Sequence, residues 1–195
     1  MRSRLTRTVS LDSTAFFADY SDLATFERAQ ASVTAINGIP VVVQPLDFDS
    51  NGKSHIYGFE NLAEWAPATG TRVQVWHSMQ VVHTSLDNGS TDPFLKSEQQ
   101  NLPVTQLGAR GQFDLPSDFE FNPFIRFVDP VVSGGAGAYW EAQLQLAWRA
   151  TDKLRLALNV NQALRDQHFE YRADFLGRPE TNIERSVFMT VAYQY

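Results

Sequence analysis

Apolar positions along this chain recur at every second residue, and a period of three or four is almost absent. The clearest stretch is Tyr139 to Leu164. Leu144, Leu146 and Trp148 alternate with Gln143, Gln145 and Arg149, the turn-like ATDK follows, and then Leu154, Leu156 and Leu158 alternate with Arg155 and Asn159. Such a pattern predicts two antiparallel strands, each with one apolar and one polar face. The same reading predicts strands over Arg7–Tyr20, His55–Trp65, Arg72–Thr84, Thr105–Leu115, Phe119–Val128, Tyr139–Arg149 and Leu154–Leu164. A terminal strand, Ile183–Tyr195, brings the expected total to about eight. On it Val187, Met189, Val191, Tyr193 and Tyr195 share one parity and Ser186, Thr190, Ala192 and Gln194 the other, with Phe188 as the exception.

The expected connections alternate in length. APATG, PSD and ATDK are tight turns rich in Pro, Asp, Thr or Gly, whereas Ser21–Ser54, Ser85–Val104, Asp129–Ala138 and Arg165–Asn182 are long. Short turns therefore gather at one end of an up-and-down sheet, with both termini, and long loops gather at the other. Within the first long loop GIPVVVQPLDF offers a further local strand. Period two is shared by soluble barrels facing their apolar residues inward and membrane barrels facing them outward. Turn asymmetry, strands of bilayer-crossing length, and Trp65, Phe119, Trp148, Tyr193 and Tyr195 near the short-turn end point to the membrane arrangement.

Composition narrows the choice of partners. The formal net charge is −6 and the 16 basic residues are scattered, which argues against nucleic acid. With no cysteine there is neither a disulfide framework nor a thiolate metal site. No apolar run reaches the length of a membrane helix, and MRSRLTRTVSLDSTAFF lacks the apolar core of a signal peptide. Residues 1–195 read as a single unit.

Several stretches resemble the C-terminal barrel of TonB-dependent outer-membrane receptors. They are VSLDSTAFFADYSDL, YGFENLAEWAPATGTRVQVWHSM, GQFDLPSDFEFNPFIRFVD, AYWEAQLQLAWRATDKLRLALNVNQAL and the closing IERSVFMTVAYQY. That resemblance implies an all-β, antiparallel transmembrane barrel segment of about eight strands, part of a larger barrel, with no plug domain in this chain. It implies an outer-membrane location, and lipid, the remaining barrel strands, the plug and the barrel-assembly machinery as partners, with TonB reached only through the missing N-terminal part. The parent function would be uptake of a metal chelate or similar nutrient, and Val191, Tyr193 and Tyr195 would form the terminal assembly signal on a strand that closes the barrel against the first. Leu144, Leu146, Trp148, Leu154, Leu156 and Leu158 would then face lipid, and Gln143, Gln145, Arg149, Arg155 and Asn159 the lumen. A self-contained small barrel, in the outer membrane or soluble and lipocalin-like, is the alternative.

Other motifs carry less. DFDSNG places Asp47, Asp49 and Asn51 as the opening of a calcium loop does, but Gly58 stands where the closing Glu belongs, so a polar turn is the expected reading. The four histidines show no metal-ligand spacing, and SGGAGAY lacks the spacing and following helix of a phosphate loop, so no cofactor is expected. No Ser, His and Asp stand in a context that assembles a catalytic triad, and an enzyme is not expected. The charged residues of the polar parity, among them Glu60, Glu64, Arg110, Glu120, Arg126 and Glu141, read instead as mutually paired groups of a wet interior wall.

Overall fold

The computed structural model describes residues 1–98, 102–131, 137–171 and 181–195. Its main body is one nine-stranded antiparallel sheet, formed by β1 (Arg2–Arg4), β2 (Val9–Arg28), β5 (Leu46–Ala68), β6 (Thr71–Leu86), β7 (Thr105–Leu115), β8 (Phe119–Val128), β9 (Tyr139–Thr151), β10 (Leu154–Asn161) and β13 (Ser186–Tyr193), in that spatial order. Two small hairpins are inserted: β3 (Ser32–Ile36) with β4 (Ile39–Val43), and β11 (Gln167–Tyr171) with β12 (Thr181–Glu184). A four-residue helix, α1 (Leu95–Glu98), lies between β6 and β7.

Neighbouring strands are joined at one end by tight turns. Between β5 and β6 Gly70 has φ +76°, and between β7 and β8 both Ser117 and Asp118 sit at positive φ, near +62° and +61°. At the β9–β10 turn the Thr151 hydroxyl accepts from the Leu154 amide at 3.0 Å. Both termini lie at this end, as expected from the turn pattern: Arg2 pairs with Asp12 and Tyr193 with Leu154.

The sheet differs from expectation in four places. β1 adds a ninth strand, its three residues being too few for a pattern. β2 and β5 run 20 and 23 residues, far beyond Tyr20 and His55, in a ladder that continues to Arg28 opposite Leu46. Leu154–Leu164 stops at Asn161, where Gln162 turns to φ +54°. The terminal segment divides into β12 and β13, and the latter ends at Tyr193; the Gln194 amide still donates to the Lys153 carbonyl at 2.9 Å, while Tyr195 is fully exposed. The expected local strand at GIPVVV is β4, and Asn37 and Gly38, both at positive φ, turn it back onto β3.

DFDSNG is neither a loop nor a turn. It lies inside β5, where Asp47 pairs with Glu27 and Asp49 with Thr25. The last strand does not pair with the first of this chain, as expected for a segment of a larger barrel. Among the described residues Leu11 stands between Ser3 and Ala63, and Val191 opposite Leu156, so β1 and β13 are the two free margins of the sheet.

Candidate functional site

Register across the sheet sorts the side chains into two faces. One face carries the row Val187–Val160–Leu144–Pro123 and the rows parallel to it: Leu158 stands beside Leu146, Leu156 beside Trp148 and Val191, and Leu154 beside Tyr193. Polar groups occupy the other, with Asn159 beside Gln145 and Arg155 beside Arg149. The predicted parities of β9 and β10 thus meet like with like.

Burial runs opposite to that of a water-soluble protein. On β9 and β10 Leu146 and Leu158 are 44 % and 49 % exposed, while Asn159 and Glu141, on the polar face, are 9 % and 8 % exposed. Exposed aromatics stand at both ends of the apolar face. Trp65 and Trp148 lie near the short turns, and Tyr57 and Trp140 eight residues further along the same strands. Beyond Tyr57 the next rung of this face turns polar, where His55 meets Asp19 at 3.0 Å and pairs with His83.

On the polar face the charged residues engage one another. Arg155 donates to Glu120 at 2.6 Å and Arg149 lies 3.6 Å from the same carboxylate. Arg126 donates through Nε and Nη2 to one oxygen of Glu141, and Gln143 donates to the other at 2.7 Å. Asn122 donates to Gln145, which donates to Asn159, carrying a chain of amides across three strands. Towards β5, Gln74 donates to Glu64 and accepts from Arg110. Gln74 and Arg110 border an open hollow of about 600 Å³ whose walls include Asp12, Glu60, Trp76 and Phe124. Trp76 and Phe124 approach to 5.5 Å between ring centres, and the Trp76 indole lies directly over Gly108, where a Cβ would collide with it.

Two polar nodes at the long-connection end have no local sequence signal, because their members are far apart in the chain. The Glu27 carboxylate accepts from Ser90 Oγ at 2.7 Å, from the amide and hydroxyl of Thr91, and from Asn51 Nδ2 at 3.1 Å. The Ser90 hydroxyl first, then the Thr91 amide, pull its pKa from 4.5 down to about 2. Asn51, the last oxygen-bearing residue of DFDSNG, thus spends its side chain on Glu27 and on Asp49. Nearby, Asp87 raises the pKa of the Lys53 ammonium ion that pairs with it. In the second node His168 is buried and stacks on Tyr139 at 4.0 Å, and Tyr139 donates to Glu170 at 3.2 Å. Residues 133–136 of SGGAGAY, and parts of the loops after Ser85 and Arg165, fall outside the described residues. Among the described residues no three His, Cys, Asp or Glu side chains are placed to hold a metal ion.

No family profile and no curated protein matches the sequence. Solved structures do match it in shape. The pyoverdine outer-membrane receptor of Pseudomonas aeruginosa PAO1 superimposes with a TM-score of 0.71 at 13 % identity, over 96 % of this chain and 27 % of its own. For the FrpB iron transporter of Neisseria meningitidis the values are 0.70 and 14 %, over 96 % and 29 %. For the ferric yersiniabactin uptake receptor of Yersinia pestis they are 0.66 and 17 %, over 97 % and 28 %. The chain has the fold of a segment of an outer-membrane receptor barrel, as the resemblance of the sequence implied. It spans less than a third of the length of each of these three structures.

Proposed function

We propose that this chain forms part of the wall of an outer-membrane receptor barrel that takes up a metal chelate or similar nutrient, and that it performs no catalysis. The observation that carries this reading is the inverted burial, with leucines exposed and Asn159 and Glu141 enclosed. Hydrocarbon tolerates the first arrangement and a lumen the second. Leu144, Leu146, Trp148, Leu154, Leu156 and Leu158 then lie against lipid, with Leu144, Leu146 and Leu158 between the aromatic rows and the other three at the short-turn row. Gln143, Gln145, Arg149, Arg155 and Asn159 line the lumen, where the plug of the parent receptor and water would meet them.

The margins at β1 and β13 are completed by the remaining strands of the barrel. A self-contained small barrel is not favoured, since it would require those margins to pair with each other. In this reading Val191, Tyr193 and Tyr195 are the strand-end signal for the barrel-assembly machinery, and TonB acts through the plug-bearing part of the receptor. Ligand choice sits on the long connections, which a rigid wall can vary at little structural cost.

Cysteine scanning tests the lipid assignment, because the chain has no cysteine of its own. In the full-length protein in outer membranes, Leu144→Cys should resist a water-soluble maleimide and Gln145→Cys should react with it. Equal, fast labelling of both would overturn the reading. Removing residues 30–43 should reduce uptake of the cognate chelate while leaving the receptor's membrane level unchanged; undiminished uptake of every ligand would count against the loop assignment.

A further inference from the structure

The exposed apolar face is not uniform. On β8, β9, β10 and β13 it carries only apolar side chains between its aromatic ends, among them Phe121, Leu144, Leu158 and Met189. On β2, β5 and β6 it is broken halfway up by Ser13, Asn61 and His77, which stand opposite one another across the three strands. Ser13 Oγ donates to Asn61 Oδ1 at 2.7 Å, and the Phe59 ring meets His77 edge-on at 5.3 Å. Asn61 lies four residues from Trp65 and four from Tyr57, about 13 Å along the strand from each. The aromatic pair brackets the apolar band, so Asn61 sits at its centre.

Hydrocarbon offers no hydrogen-bond partner at that depth, and polar residues there mark contact with protein or water. An Asn side chain has two donor and two acceptor positions, of which the bond to Ser13 takes one. Around the row the face alternates small and large side chains, with Ala15, Ala63 and Ala109 set among Leu11, Phe59, Val75, Met79 and Leu107. Building on the lipid-facing reading above, we propose that Ser13, Asn61 and His77 mark a lateral interface within the membrane on which a second copy of the same receptor docks about a two-fold axis along the membrane normal.

A second copy fits because the row is self-complementary. A two-fold axis sets like against like, and a carboxamide, donor and acceptor at once, pairs with another carboxamide where a carboxylate or ammonium group could not. Ser13 and Asn61 carry no charge, so the row calls for no partner of opposite sign. Asn61 is on the middle strand of the three, so an axis through it lays β2 of one copy over β6 of the other. Because barrel strands tilt, the two rows cross at Asn61.

Oxidative cross-linking of the full-length protein in outer membranes tests this. Ala63→Cys, which leaves Asn61 in place, should give disulfide-linked homodimers in several-fold higher yield than Leu144→Cys, which lies at matching depth on the far half of the wall. In the Ala63→Cys background, Asn61→Leu should lower that yield several-fold. Equal yields at residues 63 and 144 would reveal random collision and overturn the proposal, as would no dimer at residue 63, or an adduct with a different protein. Maleimide labelling of Leu144→Cys separates the two readings: if it is protected while residue 63 gives no dimer, the docking alone is wrong, whereas fast labelling removes the lipid-facing basis itself.

Discussion

At the scale of single residues, depth in the bilayer grades what a charge costs. Leu144 lies four residues from both Trp148 and Trp140, and Leu156 stands on the rung of Trp148 beside the short turns. Leu144→Arg should therefore destabilise the barrel by about 2–4 kcal/mol, and Leu156→Arg, whose guanidinium reaches the interface, by about 0–1 kcal/mol. Unfolding titrations of the full-length protein in lipid would check the difference, and equal costs would contradict the bracket set by the tryptophans. Glu27 gives a pH dependence outside the membrane band. Its folded pKa, about 2, lies below the ordinary 4.5, so its contribution is whole above 4.5 and is lost as pH falls towards 2. Hydrogen exchange at the Thr91 amide, which donates to Glu27, should accelerate over that window, and Glu27→Gln should flatten the response. The leucine and glutamine parities of β9 and β10 were legible in the sequence because alternation there is unbroken. The Glu27 node was not, because Ser90 and Thr91 join it from 63 and 64 positions away and no local pattern encodes that meeting.

At the scale of elements, length was harder to read than type. β2 and β5 looked like strands only where one face is apolar; beyond Tyr20 and His55 both parities carry polar residues, and the ladder is held by its own amides and by side chains such as Asn51 and Glu27. DFDSNG misled for that reason, since oxygen-bearing residues two apart suit a calcium loop and the single face of a strand equally well. The β3–β4 hairpin did have a usable signal, Asn37-Gly38 between alternating apolar residues, and weight on that pair would have supplied β3 as well as β4. Between β6 and β7 the fit depends on a glycine. Gly108→Ala would drive a methyl group into the Trp76 indole and push the ring off Phe124, at a cost of about 1–3 kcal/mol. A thermal-melting series should show this loss largely relieved in Gly108→Ala/Trp76→Leu, and no relief would mean that the ring is not the obstacle.

At the scale of the molecule, the free margins govern behaviour. Unpaired amide and carbonyl groups along β13, whose Val187, Met189 and Val191 are 55–66 % exposed, recruit other chains in water and are intolerable in hydrocarbon. Residues 1–195 expressed alone should aggregate or be degraded, while co-assembly with the complementary strands should yield a folded, protease-resistant species. A monodisperse monomer of this chain in detergent would contradict that expectation. The long connections lead to a different consequence. The Ala29 amide donates to the Pro45 carbonyl at 3.1 Å, next to the pair Arg28 and Leu46, so the ladder is stitched shut at the base of the β3–β4 arm. Gln44 belongs to that base, since its Nε2 donates to the Ala29 carbonyl at 2.6 Å. Residues 30–43 are thus an exchangeable cassette: recombination between related genes could replace them wholesale, and an engineer could graft a foreign epitope there, without resetting a single strand pair beneath.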